Sequence, residues 1–284
     1  LARIYEVFPL VCPRCGGGSA WAMRRGLWLC GGCRRQVSVT AGTVLQDRKL
    51  PLTRWFRAMW YVTSQKNGVS ALGLQRVLGL GSYKTAWALL HKLRRAMVRP
   101  GRERLAGTVE VDETYWGADT RPVIGRLTYD KALIAVAAEQ DGPAIGRIRL
   151  RRLPDLTKAS LHGFIAEAVE PGSTVVSDGL HLYQGLVGYG HQPIVVKHRA
   201  EDAATLLPRV HRVASLLKRW LLGTHQGAVG HAYLDYYLDE FTFRFNRRHS
   251  ASRGKLFYRL VQQAVQIEPA PFVTLLQPQP LGGG

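Results

Sequence analysis

The chain has 284 residues, with 39 Lys+Arg against 20 Asp+Glu and a formal net charge of +19. That length suits two or three small domains with real cores, and no apolar run approaches the roughly 20 residues needed to span a bilayer. The excess of positive charge, mostly Arg, points to a polyanionic partner, with nucleic acid foremost.

All four cysteines fall early, as Cys12-Pro13-Arg14-Cys15 and, fourteen residues on, Cys30-Gly31-Gly32-Cys33. Two C-x-x-C turns at this spacing predict a zinc ribbon over residues 1–45, with Zn²⁺ held by Cys12, Cys15, Cys30 and Cys33. Four thiolates leave no open position, so that metal supplies folding energy rather than catalysis. Cysteine clustering of this kind also fits a reducing compartment better than a disulfide framework.

From 50 to 100 the pattern is helical. Thr53 is placed to cap a first, aromatic-rich helix, Ser70 a short second one ending at Leu78, and Ser82 a third running to Met97. Helix, Gly79-Leu80-Gly81 turn and helix outline a helix-turn-helix-like module. Lys84, Lys92, Arg94 and Arg95 on the last helix are candidate DNA contacts. Arg99-Pro100-Gly101-Arg102 reads as a linker.

Residues 105–250 alternate strands and helices. Strands are predicted at 108–115, 131–138, 145–152, 173–177 and 192–197, with a helix over 157–169. The strand Thr108–Tyr115 carries Asp112 into an apolar run, and Ser173–Ser177 ends on Asp178. Two strands that each deliver one Asp can bring the carboxylates together around divalent ions. Three strands, then helix, strand, helix and strand, is the order of an α/β, ribonuclease-H-like domain with a mixed sheet. Glu113 follows Asp112 directly, so it points to the opposite face.

Beyond Thr205 a helical pattern continues to about Asn246. Leu206, Val210, Val213, Leu217 and Leu221 mark its core face, while His211, Ser215 and Lys218 share another. Residues 251–284 read as a C-terminal helix and a flexible tail.

Several stretches taken together resemble the ISXO-like group of prokaryotic insertion-sequence transposases, which join a zinc ribbon to a DDE-type integrase domain. They are the two Cys pairs, Val37–Thr43, Lys84–Trp87, Val109–Tyr115, Lys218–His225 and Tyr237–Phe241, followed by Arg244-Phe245-Asn246-Arg247-Arg248. The resemblance implies metal-dependent strand cleavage and strand transfer at Asp112, Asp178 and His211, with Mg²⁺ or Mn²⁺ as cofactor and Lys218 near the phosphate. It also implies DNA contacts by Arg244, Arg247 and Arg248, and partners that are double-stranded terminal inverted repeats and target DNA. A homodimer or larger assembly in the cytoplasm, at the nucleoid, follows from the same likeness. Relatives often carry Asn at the position of Leu216. A decayed or domesticated transposase that only binds DNA is the alternative.

Overall fold

The computed structural model describes residues 11–24, 27–38, 40–46, 49–99, 101–117, 131–194 and 206–277. Strands β1 (Ala20–Ala22), β2 (Leu27–Cys30) and β3 (Gln36–Ser38) form an antiparallel meander. Among the described residues its buried apolar centre is Cys12, Cys30 and Val37. A small module with so small a described core is the kind that a metal or other staple stabilises.

Helices α1 (Leu52–Ser64), α2 (Ala71–Leu78) and α3 (Tyr83–Arg95) follow. α1 enters from Pro51, whose φ of −63° suits the approach to a helix, so Thr53 lies inside the first turn instead of capping it. Ser70 does cap α2, accepting a bond from the Gly73 amide. Gly79 ends α2 in the left-handed region at φ 58°, where a side chain would be strained. Ser82 occupies the N-cap position of α3 without a side-chain cap bond, and α3 stops at Arg95 rather than Met97.

Strands β4 (Thr108–Trp116), β5 (Ala132–Asp141), β6 (Ala144–Leu153), β7 (Thr174–Asp178) and β8 (Gly190–Ile194) make one five-stranded sheet in the order β6-β5-β4-β7-β8. β4, β5 and β6 pair antiparallel, whereas β7 lies parallel to both β4 and β8. The crossover from β6 to β7 runs through α4 (Lys158–Ala168), capped by Thr157, which accepts from the Ser160 amide. This is the mixed sheet of a ribonuclease-H-like domain, with the two Asp-bearing strands as neighbours. β8 begins earlier than expected, and residues 195–197 of the predicted strand lie outside the described residues.

Strand alternation gives the sheet two apolar faces. One packs Val109, Val111 and Val175 against Leu161, Phe164 and Ile165 of α4. The other packs Val136, Ile148 and Val176 under α5 (Pro208–His225) and α6 (Leu234–Phe245). Val210, Val213, Leu217 and Leu221 are buried there as the periodicity predicted. The helical run is not continuous, because α5 ends at Gln226 (φ 52°) and a 3₁₀ turn, His231–Tyr233, precedes α6.

This second core also takes in Leu89, Leu90 and Leu93 of α3, Met59 and Val62 of α1, and Leu260 of α7 (Arg253–Ala264). Each fully buried leucine contributes about 1.5–3 kcal/mol, so residues 50–100 are bound to the sheet domain through a shared apolar interior. At the edge strand β6, Asn246 acts as a substitute partner. Its carbonyl oxygen accepts from the Ile148 amide at 2.7 Å and its amide donates to the Ile148 carbonyl at 3.1 Å. The exposed ladder is thereby satisfied at that position.

Candidate active site

Asp112 and Asp178 leave neighbouring parallel strands at the same level. The ladder pairs Thr108 with Thr174, Val109 with Val175 and Glu110 with Val176. Two residues further on each strand stand Asp112 and Asp178. By the two-residue period both project to the face of Glu110 and Val176, which is the face α5 covers. Tyr183 is buried in the core on the opposite face of the sheet. Its hydroxyl donates to Glu113 Oε2 at 2.9 Å, and burial, together with the negative charge of Glu113, Asp112 and Asp178, pushes its pKa up. Glu113 thus points to the opposite face, as expected, and is held by Tyr183. Asp178 closes a local turn, accepting from the Leu180 amide at 3.1 Å.

Helix α5 brings the imidazole. His211 Nε2 lies 3.7 Å from Asp112 Oδ2. Lys218, seven residues along, falls on the same side by helical spacing, and burial and the Lys131 ammonium push its pKa down. Leu216 packs against the apolar core on another side of the helix.

The sequence reading missed the residue that sets this geometry. The N-cap of α5 is Leu207, which has no capping oxygen, and N1 is Pro208, which has no N–H to satisfy. The next two amides, of Arg209 and Val210, donate to Glu110 Oε2 at 2.7 and 3.1 Å. The Arg209 guanidinium adds a 2.8 Å bond to Glu110 Oε1. Glu110 therefore caps the helix from the sheet, with its charge at the positive end of the helix dipole. Glu110 and Asp112 are two apart on β4, and Arg209 and His211 are two apart on α5. That shared spacing was the available signal.

In the ribbon, the four thiols converge, every Sγ lying within 4.8 Å of the others. Cys12 and Cys33 are 3.6 Å apart and Cys15 and Cys30 are 3.5 Å apart. Those separations are far beyond an S–S bond and near the ~3.8 Å that ~2.3 Å Zn–S bonds in a tetrahedron require. Backbone amides of Arg14 and Cys15 draw the Cys12 thiol down to about 6, which favours the thiolate a metal binds. The donor set fits Zn²⁺. Among the described residues this is the group of three or more ligands that already meets at one point; Asp112, Asp178 and His211 do not converge that tightly.

The expected DNA contacts divide. Lys84 is exposed at the start of α3, with its ammonium 5.2 Å from the Phe272 ring centroid. Lys92 and Arg95 are half-buried. Arg94 is corrected to a structural role: it is 2% exposed and its Nε donates to Glu240 Oε2 at 2.8 Å. A phosphate could reach it only by unpacking α3 from α6. Arg244 is likewise committed, to Glu240 Oε1 and to the carbonyls of Gln65 and Val62 at the end of α1. Arg247 and Arg248 stack on Phe243 and Phe245, each 4.2 Å from the ring centroid.

Residues 104–246 match the ISXO2-like transposase domain. The chain belongs to this transposase family. It is also 27% identical over 210 residues to an uncharacterized protein in transposable element ISH50 of Halobacterium salinarum, a match covering 66% of this chain and 67% of that protein. The family match opens just before β4 and closes at Asn246. It thus contains Asp112, Asp178, His211, Lys218 and the Glu110–Arg209 brace of this transposase, and leaves the cysteine cluster outside. No described helix is long and apolar enough to cross a membrane.

Proposed function

We propose that this chain is a DNA transposase catalysing metal-dependent strand cleavage and strand transfer of an insertion sequence. The observation that supports it best is the level placement of Asp112 and Asp178 on adjacent parallel strands, with His211 of α5 facing the first. Divalent Mg²⁺ or Mn²⁺, held by those two carboxylates and the imidazole, would activate water and then the freed 3′-OH. Lys218 steadies a phosphate beside the reacting one. Burial first, and then the Lys131 ammonium, push its pKa down, and an incoming phosphate would counter both. The Glu110 cap keeps α5, and with it His211 and Lys218, aimed at the carboxylates during the reaction.

The substrates on this reading are the element's terminal inverted repeats and target DNA, bound at the nucleoid. Holding two ends together implies a dimer or larger assembly on DNA. The deciding experiment is Mg²⁺- or Mn²⁺-dependent cleavage and joining of a terminal-repeat duplex by the full chain, beside Asp112→Ala and Asp178→Ala. Each variant is expected to lose at least 10²-fold in rate while retaining duplex binding. Binding without cleavage by the unaltered chain would favour the DNA-binding, decayed alternative. Cleavage unaffected by either variant would remove the proposed site.

A further inference from the structure

A second site lies on the other side of α5. A cavity of about 850 Å³ opens between the α1–α2 connection, α5 and the C-terminal end of α6. Six cations line it and no carboxylate does. Arg244, Arg247 and Arg248 are held by interior partners as described above. Lys66, Arg219 and Arg253 are exposed, and none pairs with a carboxylate among the described residues. Three like charges gathered without countercharge repel one another, a cost that an anionic ligand reverses.

The cavity is also aromatic. Tyr61 and Trp220, both half-buried, line it with the cations, together with the buried Phe241 and Phe243. Its wall is pinned in place. The Asn67 carbonyl accepts from Trp220 Nε1 at 2.9 Å and from Thr224 Oγ1 at 2.5 Å. Gly68 sits so close that a Cβ there would meet Trp220 Nε1 at 2.7 Å, at a φ of +84° that already disfavours a side chain. A rigid, preformed cavity spares the ligand much of the ordering cost of binding.

We infer that this cavity binds an unpaired DNA strand, with Lys66, Arg219 and Arg253 on its phosphates and the half-buried Tyr61 and Trp220 rings on its bases. Cations that track a backbone, interleaved with stacking surfaces, are the signature of single-strand sites. The volume falls in the roughly 300–1,000 Å³ range of cavities that enclose a ligand. A few nucleotides fit in that volume, and a duplex serves as the comparison in the binding test. Along α5, Leu216, Arg219, Trp220 and Gly223 face this cavity, while His211 faces Asp112 and Lys218 shares its side by helical spacing. The helix separates the two sites, so a strand freed at one can be received at the other. The inference rests on reading the chain as a DNA-processing transposase.

The test is fluorescence anisotropy of the full chain with a short mixed-sequence single-stranded oligonucleotide and with a blunt duplex. The Lys66→Ala/Arg219→Ala/Arg253→Ala triple variant is expected to lose about 10-fold or more in single-strand affinity. The slope of log affinity on log salt should flatten by about 2, from three lost contacts at ~0.7 each. Duplex affinity should change by less than about 3-fold. The charge-retaining Arg219→Lys/Arg253→Lys variant should bind near the unaltered level, which separates charge from packing if the triple variant loses thermal stability. Asp112→Ala/Asp178→Ala should bind the single strand normally. Unchanged single-strand affinity and slope in the triple variant would overturn the inference, as would equal losses for strand and duplex, or failure of the Lys variant to bind. Cleavage unaffected by Asp112→Ala or Asp178→Ala would overturn the active-site reading instead, leaving the binding result intact.

Discussion

Glu110 and Arg209 join the sheet to α5 one step away from the Asp112–His211 contact, with the Arg209 guanidinium 2.8 Å from Glu110 Oε1. Glu110 is 4% exposed and accepts two helix amides as well as the guanidinium. Glu110→Ala leaves these donors without their acceptor. Breaking a buried pair of this kind costs about 3–5 kcal/mol, and a thermal midpoint lowered by several degrees is the expected result. Cleavage measured well below that midpoint should still fall, because His211 loses its support. Full activity in a folded Glu110→Ala chain would show that the cap does not position the imidazole.

The Glu240 carboxylate, fully buried, sits between Arg94 and Arg244 at 2.8 Å from each Nε. Burial works against its charge, but the two guanidinium groups prevail and hold its pKa at about 2. Glu240→Ala strands two cations and should destabilise by roughly 3–5 kcal/mol. Arg94→Ala should lower the thermal midpoint yet leave the salt slope of duplex binding unchanged, since no phosphate contact is lost. A slope reduced by about one would return Arg94 to the DNA interface.

Histidine burial sets an acid limit on stability. Burial, with Arg94 next, pushes His91 down to about 2 and His225 to about 4. The unfolded chain takes up these protons below about pH 6.5, whereas the folded chain does not. Stability should therefore be complete above pH 6.5 and fall as pH drops, until His225 titrates near 4 and His91 near 2. At pH 5 the loss is about 2 kcal/mol per histidine. Burial pushes the Asp239 carboxyl up to about 7, which offsets about one histidine over the same window. Denaturant unfolding at pH 7.5 and pH 5 is therefore compared in Asp239→Asn, where a flat profile would contradict neutral, buried imidazoles.

The two metals should separate under chelation. EDTA at low concentration is expected to stop cleavage by removing the ion from a carboxylate site, while the Cys₄ ion stays bound. One zinc per chain by elemental analysis, released by a thiol-modifying reagent, is the expected result. Cys15→Ser should reduce zinc content and loosen the ribbon. The sheet domain should keep its unfolding transition, because the cores of ribbon and sheet are distinct.

Much of the fold was legible in the residues themselves. Cysteine spacing specified the converging thiols, the β-branched runs around Asp112 and Asp178 specified their strands, and the 3.6-residue period specified the buried face of α5. These are local rules, in which a residue's neighbours in the chain decide its conformation and which way it points. The tertiary structure alone decided that Glu110 caps a helix lying a hundred residues away, and that Arg94 and Arg244 share one buried carboxylate. A basic residue on a helix has the same sequence signal whether it meets water, phosphate or a buried acid. Which of these it meets depends on which distant element packs over it.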